Sequence, residues 1–80
     1  MSSFYPAGTV IFRQDELPDH AYVILSGEVE IYKENDDGSE QHIVFLVAGE
    51  MFGELALMDG TPRSASARAH TDVTLQIMPI

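Results

Sequence analysis

The residues best suited to chemistry lie together in residues 52–63, which read Phe-Gly-Glu-Leu-Ala-Leu-Met-Asp-Gly-Thr-Pro-Arg. A glycine before a short helix leaves free backbone N–H groups at the first helical turn, beside the positive end of the helix dipole. Such a turn favours an anion. Arg63 then supplies a planar guanidinium that can hold a phosphate through two parallel hydrogen bonds, and Ser64 adds a hydroxyl. We therefore predict an anion site here, since each charge-assisted hydrogen bond contributes about 1.5–3 kcal/mol.

Glu54 is the unexpected member of this segment, because a carboxylate beside a phosphate site repels the ligand. The repulsion is offset if the ligand brings a hydroxyl that donates a hydrogen bond to the carboxylate. A ribose carries such a hydroxyl, and the small Ala65 lets backbone approach the ligand closely. A phosphate and a ribose held by one short segment indicate a nucleotide in which these two groups lie close together.

Short strands must position this segment, because short apolar runs alternate with turn sequences along most of the chain. Within residues 28–33, Val29 and Ile31 fall on one face and the glutamates on the other, as expected for a half-buried antiparallel strand. The Asp-Gly pair at 37–38 predicts a hairpin turn, and residues 54–58 contain helix formers that predict one or two helical turns. The predicted strands are 9–12, 21–25, 28–33, 42–47, 64–69 and 73–78.

Length and composition restrict the classes of protein that the chain can represent. Its 80 residues predict one domain, and 45% hydrophobic residues are too many for a disordered chain. The absence of cysteine excludes disulfides and thiolate metal sites. A net charge of −9, with only four lysines and arginines, argues against direct binding of nucleic acid by this piece. We find neither a signal peptide nor a membrane-spanning run of about 18 apolar residues, and we therefore expect a cytoplasmic location.

The central segment contains two motifs, Phe52-Gly53-Glu54-Leu55-Ala56-Leu57 and Gly60-Thr61-Pro62-Arg63-Ser64-Ala65. Together they closely resemble the phosphate-binding cassette of the cyclic nucleotide-binding domain family, which includes protein kinase A regulatory subunits and bacterial catabolite activator proteins. Further similarity is found at Pro6-Ala7-Gly8, at residues 22–29 and at Ala48-Gly49-Glu50. The resemblance covers almost the whole chain. It implies an all-β fold, namely a small antiparallel β-barrel of the double-stranded β-helix or jelly-roll type, with one short helix in the cassette.

The resemblance also implies roles for individual residues. Glu54 would accept a hydrogen bond from the ribose 2′-hydroxyl, and Arg63 would pair with the cyclic phosphate. The strand 42–47 would contact the base through Ile43 and Phe45. A serine after the cassette arginine favours cAMP, and its hydroxyl leaves cGMP as an alternative. The remaining implied ligand-binding positions are Gly53, Ser64 and the backbone N–H groups of Leu55, Ala56 and Ala65.

The function implied by the resemblance is that of a sensor module that controls an attached or partner effector, without enzyme activity and without a metal or other cofactor. Family members carry a helix before the barrel and helices after it, the last of which caps the base. The sequence supplies neither these helices nor an effector, so we expect residues 1–80 to form the barrel alone. The apolar end at residues 77–80 would then need covering, for which a homodimer is one candidate.

The chain departs from the family pattern at two positions outside the cassette. Asp15 stands where glycine is usual, and aspartate tolerates a left-handed backbone better than most residues. Ala67 stands where a β-branched residue is more common. Among the remaining residues, Arg68 predicts a structural ion pair, and the methionines Met51 and Met58 predict core packing.

Two alternative functions have to be weighed. A cupin-type metalloenzyme is also a small β-barrel, but its metal site needs two histidines two residues apart, whereas Tyr22 stands two residues after His20. The other histidines, His42 and His70, fall on separate elements and are interpreted as strand or surface residues. A barrel that has lost its ligand and binds another protein would keep the fold without binding a nucleotide.

Overall fold

In the computed structural model, which describes residues 2–79, the chain forms eight strands and one short helix. These elements are β1 (Ser2–Tyr5), β2 (Val10–Phe12), β3 (His20–Ser26), β4 (Glu28–Glu34), β5 (Glu40–Val47), β6 (Met51–Phe52), α1 (Glu54–Asp59), β7 (Ser66–Ala69) and β8 (Val73–Pro79). The predicted all-β fold with one short helix is confirmed. Within the described residues, no helix has the length and apolar character needed to cross a lipid bilayer.

The strands form two antiparallel four-stranded sheets. Sheet A has the order β1-β8-β3-β6, and sheet B has the order β2-β7-β4-β5. In sheet A the C-terminal strand β8 pairs with both β1 and β3, so that Gln76 is the partner of Ser2 on one side and of Val23 on the other. In sheet B the central strand β4 pairs with β5 and β7. The two ends of the chain are therefore neighbours within one sheet.

Strands β1 and β6 were not predicted from the sequence. Strand β1 lies at the edge of sheet A and its residues alternate between exposed and half-buried, so it carries no long apolar run. Its hydrogen-bonding partner is at the other end of the chain, in β8. Strand β6 has only two residues and pairs with Tyr22 and Val23 of β3. Both strands therefore depend on pairing with distant residues rather than on local sequence.

The core contains residues of both sheets and is built from small, branched and aromatic side chains. Ala67, which the family comparison marked as unusually small, is fully buried in it. The prediction of core packing for Met51 and Met58 is wrong, because these side chains are 44% and 79% exposed. The six-residue helix α1 has no buried residue, so Met58 has no core to join. The core residues are Tyr22, Ile24, Val29, Phe52, Ala67, Ala69, Val73 and Leu75.

An ion-pair network on sheet B is centred on Arg68. Its Nε donates to Glu30 over 2.8 Å, its Nη2 donates to Glu40 over 2.8 Å, and its guanidinium carbon lies 4.1 Å from the centroid of the Tyr32 ring. Burial by itself raises the pKa of Glu30, but hydrogen bonds with His42 and Arg68 outweigh burial and hold that pKa below its ordinary value. The structural ion pair predicted for Arg68 is confirmed.

Candidate functional site

A cavity of about 240 Å³ lies where β4 and β5 meet α1 and the segment that follows it. Its charged lining residues are Glu54 and Arg63, Ser64 adds a hydroxyl, and the other lining side chains are apolar. The structure brings together at this cavity the seven predicted cassette positions Gly53, Glu54, Leu55, Ala56, Arg63, Ser64 and Ala65. The other lining residues are Phe12, Ile31, Leu46, Met51 and Phe52.

Arg63 is held in the wall of this cavity with its side chain almost fully buried. The residue is 3% exposed. Its Nη1 donates to the carbonyl oxygen of Gly53 over 2.6 Å, and its Nη2 donates to the carbonyl oxygen of His20 over 2.7 Å. The guanidinium carbon lies 4.1 Å from the centroid of the Phe12 ring. Because a guanidinium has more N–H groups than these two bonds use, donors remain for a ligand.

The charge of Arg63 is not neutralised by the protein around it. Among the described residues no aspartate or glutamate forms an ion pair with Arg63. By contrast Arg68, which does not line the cavity, pairs with both Glu30 and Glu40. Neutral carbonyl oxygens satisfy hydrogen bonds but leave the positive charge in place. A buried charge without a counterion is unfavourable, so the site favours an anion from outside.

The backbone of Arg63 is fixed by the loop between β2 and β3. The N–H of Asp15 donates to the carbonyl oxygen of Arg63 over 2.8 Å, and the N–H of Arg63 donates to the carbonyl oxygen of Glu16 over 2.9 Å. Asp15 has a φ of 73°, so the left-handed backbone that we expected at this position is confirmed. The conformation of Asp15 thus helps to hold Arg63 in place.

Replacing Asp15 by alanine should lower the free energy of unfolding by about 1 kcal/mol, because alanine tolerates a left-handed backbone less well than aspartate does. Asp15→Gly is the matched variant, since glycine adopts this backbone freely, and its stability should lie within about 0.5 kcal/mol of the parent protein. Urea unfolding of the three proteins measures the difference. Equal stability of the alanine and glycine variants would contradict a conformational role for this position.

Gly53 is required at the start of α1 for two reasons. Its φ of 83° is one that other residues rarely adopt. In addition, a Cβ atom at this position would lie 2.7 Å from Nη1 of Arg63 and 3.4 Å from Cε2 of Phe12. The absence of a side chain therefore lets the guanidinium approach the backbone of the cassette closely enough to bond to it.

Glu54 presents a buried oxygen without a partner. Its Oε2 is the one side-chain nitrogen or oxygen atom, among the described residues, that is buried and forms no hydrogen bond. Glu54 lines the same cavity as Arg63, yet no ion pair joins them. An unsatisfied buried acceptor is costly, and a hydroxyl donor on a ligand would satisfy it.

The base contacts predicted for Ile43 and Phe45 are not supported by their positions, since neither residue lines the cavity. The Phe45 ring instead packs against His42 and His70, with centroid distances of 4.3 and 4.6 Å. Successive residues of a strand point to opposite faces. Since Leu46 lines the cavity, its neighbour Phe45 points to the other face of sheet B.

A register shift explains the position of Ile43. The pairing of β4 with β5 shifts between Ile31 and Tyr32, whose partners are Val44 and His42, so Ile43 is left without a direct partner in the ladder. The apolar wall of the cavity is formed by Ile31 and Leu46 instead. The alternation of Val29 and Ile31 in the sequence was the signal from which Ile31 could have been identified.

Each of the three histidines is close to a different carboxylate. His20 contacts Asp19 over 2.9 Å, His42 contacts Glu30 over 2.9 Å and His70 approaches Glu28 at 3.7 Å. Across residues 2–79 we find no group of three or more histidine, aspartate or glutamate side chains arranged to hold a metal ion. The cupin-type metal site considered for this chain has no counterpart in these residues.

Comparison with known proteins gives a consistent result. The family model for the cyclic nucleotide-binding domain matches residues 3–79. The cyclic AMP receptor protein of Thermus thermophilus is 41% identical over 71 residues, which cover 89% of this chain and 33% of that protein. A CRP-like cAMP-activated global transcriptional regulator of Mycobacterium tuberculosis is 38% identical over 69 residues, covering 86% of this chain and 31% of the regulator.

Solved structures are also similar. The EAL enzyme Bd1971 in its cAMP-bound form superimposes with a TM-score of 0.94 at 40% identity, and the alignment covers 99% of this chain and 21% of that one. Its cGMP-bound form gives a TM-score of 0.95. cAMP-bound PfPKA-R gives 0.94 at 33% identity, covering 99% of this chain and 28% of that one. The chain thus spans about a third or less of the length of these relatives.

Proposed function

The chain belongs to the cyclic nucleotide-binding domain family, and on that premise we propose that its cavity binds a 3′,5′-cyclic purine nucleotide, with cAMP favoured over cGMP. Arg63 would hold the cyclic phosphate through its remaining N–H groups. Ser64 and the backbone N–H groups of Leu55, Ala56 and Ala65 would add further donors. Glu54 would accept a hydrogen bond from the ribose 2′-hydroxyl.

The observation that carries this proposal is the presence of two opposite charges in one cavity that do not pair with each other. Arg63 is nearly fully buried and has neutral partners, and Glu54 has a buried oxygen without a partner. One ligand with an anionic group and a neighbouring hydroxyl satisfies both residues. A cyclic phosphate fused to a ribose has this chemistry in a compact form.

The apolar part of the cavity is suited to a purine base. Ile31, Leu46 and Met51 offer aliphatic and thioether contacts but no hydrogen-bonding side chain. Ser64 is then the side chain that can distinguish between the bases, and a serine here supports cAMP. The similar EAL enzyme has been solved with cAMP and with cGMP, which supports keeping both ligands under test.

The domain would act as a sensor and not as an enzyme. Ligand binding would favour the conformation in which the cassette closes, by the amount that affinity differs between the two conformations. An effector attached to the domain or bound by it would read this change. The same proposal includes a cytoplasmic location and assigns residues 1–80 to the nucleotide-binding domain. It also includes a homodimer as one way to cover the apolar residues 77–80.

Titration calorimetry with cAMP, 2′-deoxy-cAMP and linear 5′-AMP tests this function. We expect saturable binding of cAMP, and affinity for the 2′-deoxy analogue lower by at least about tenfold, because the carboxylate of Glu54 then faces no donor. 5′-AMP should bind more weakly than cAMP. In Glu54→Ala the difference between cAMP and its 2′-deoxy analogue should disappear.

Asp59→Ala is the matched control, because Asp59 lies in the same helix as Glu54 but its carboxylate does not line the cavity. This variant should keep the preference for cAMP over the 2′-deoxy analogue. Absence of saturable binding by the folded parent protein would refute the proposal. Equal affinity of the parent protein for cAMP and 2′-deoxy-cAMP would show that Glu54 does not contact the 2′-hydroxyl. The contact of Arg63 with the phosphate would then be tested separately by the Arg63 variants.

A further inference from the structure

Arg63 stacks on the ring of Phe12, whereas its contacts with Gly53 and His20 are hydrogen bonds. The two carbonyl oxygens that accept from Arg63 lie at the edge of the guanidinium, at Nη1 and Nη2. The Phe12 ring lies under the guanidinium, with its centroid 4.1 Å from the central carbon. The edge contacts fix the direction of two N–H groups, and the ring supports the plane of the group.

The Phe12 ring is itself held in place by other aromatic side chains. Its centroid lies 6.0 Å from that of Tyr22 and 5.9 Å from that of Phe52, and the rings of Tyr22 and Phe52 are 5.2 Å apart. Phe52 immediately precedes Gly53, whose carbonyl accepts from Arg63. The aromatic cluster of Phe12, Tyr22 and Phe52 thus connects β2 and β3 with the beginning of the cassette.

An aromatic ring offers this support without neutralising the charge that the ligand needs. The ring attracts a cation through its quadrupole and carries no net charge. A carboxylate in its place would hold the guanidinium but would compete with the phosphate. Arg68 shows the contrast: its guanidinium also stacks on a ring at 4.1 Å, but Glu30 and Glu40 pair with it and neutralise its charge.

We propose that Phe12 is a positioning residue that orients the guanidinium of Arg63 for the cyclic phosphate while leaving its charge available. This inference rests on the proposed function, because it assigns Phe12 a role at the same site. Phe12 and Arg63 also line a second cavity of about 540 Å³, together with Glu16 and Tyr22 among others. The pair therefore forms part of the wall between the two cavities.

Two measurements on the same variants test the role of Phe12. The first is the affinity for cAMP, which should fall about tenfold (~1.4 kcal/mol) in Phe12→Leu and stay within about threefold of the parent value in Phe12→Tyr, since tyrosine keeps the ring. The second is the NMR signal of the Arg63 Nε–H group in the nucleotide-free protein. This signal should shift in Phe12→Leu, because the ring no longer lies under the guanidinium, and stay near its parent position in Phe12→Tyr.

The outcomes separate this inference from the proposed function. Parent-like affinity in Phe12→Leu, or equal losses in the leucine and tyrosine variants, would overturn the role of the ring. If the parent protein binds no cyclic nucleotide, the proposed function fails, and the NMR measurement then decides only whether the Phe12 ring orients the guanidinium of Arg63. An Arg63 Nε–H signal that is unchanged in Phe12→Leu would overturn this orienting role. A shift that occurs in Phe12→Leu and is absent in Phe12→Tyr would support it.

Discussion

Replacing Arg63 by alanine is expected to weaken cAMP binding by about a hundredfold or more. The variant would lose the bidentate contact that we propose between Arg63 and the phosphate, in which each charge-assisted hydrogen bond would contribute about 1.5–3 kcal/mol. It also leaves the carbonyl oxygens of Gly53 and His20 without their donor, which should lower the free energy of unfolding by about 1–3 kcal/mol. Urea unfolding shows that the variant is folded and measures its loss of stability, and calorimetric titration with cAMP measures its loss of affinity.

The chain offers a matched control for this experiment in Arg68. This arginine also stacks on an aromatic ring at 4.1 Å, and it does not line the cavity. Arg68→Ala should lower stability, because Glu30 and Glu40 lose their partner, but it should leave cAMP affinity within about threefold of the parent value. A third variant, Arg63→Lys, keeps the charge without the planar fork and should bind with intermediate affinity. Equal losses of affinity in Arg63→Ala and Arg68→Ala would contradict a specific phosphate contact.

Replacing Gly27 by alanine is expected to unfold much of the protein at 25 °C. Gly27 joins β3 to β4 with a φ of 91°, and a Cβ atom there would overlap the backbone oxygen of Asp72 and lie 2.6 Å from Cγ1 of Val73. Val73 is fully buried, so the clash cannot be relieved by moving a flexible side chain. A loss above about 4 kcal/mol is expected, which is comparable with the total stability of a domain of this size, about 4–12 kcal/mol.

Gly49→Ala separates the two causes of this effect. Gly49 has a φ of 93°, nearly the same as that of Gly27, but a Cβ atom added there would meet nothing within 4 Å. This variant should therefore lose only the cost of the backbone conformation, about 1–2 kcal/mol. Urea or thermal unfolding followed by circular dichroism compares the two variants. Similar losses in both would show that the backbone conformation, and not the contact with Asp72 and Val73, determines the effect.

The parts of this structure that were predictable from sequence are those with a local signal. The strand at 28–33, the hairpin turn at 37–38 and the helix after Gly53 each depend on neighbouring residues, and each of these elements is confirmed. The single buried face expected for that strand is wrong, because Tyr32 on the face of the glutamates is 1% exposed while Ile31 is only half-buried. The seven cassette positions were identified because the segment that contains them resembles the cassette of the family, and they line one cavity. Their roles in binding a ligand stay predictions.

The parts that were not predictable depend on contacts between distant residues or on register. The contact between Phe12 and Arg63 joins β2 to the cassette, and nothing in the neighbourhood of Phe12 in the sequence indicates it. The position of Ile43 depends on a register shift between β4 and β5, which strand propensity does not specify. Met58 resembles a core residue in the sequence, yet α1 is too short and too exposed to bury it.

The place of β8 within sheet A has a consequence for the synthesis of this domain. Because β8 is the partner of both β1 and β3, sheet A cannot be completed until residues 73–79 have been synthesised, although β3 can pair with β6 before then. The earlier strands must wait with their apolar faces uncovered, and pairing between the two ends of a chain is slow. A nascent chain stalled before β8 would therefore expose apolar surface and would be a substrate for chaperones and proteases.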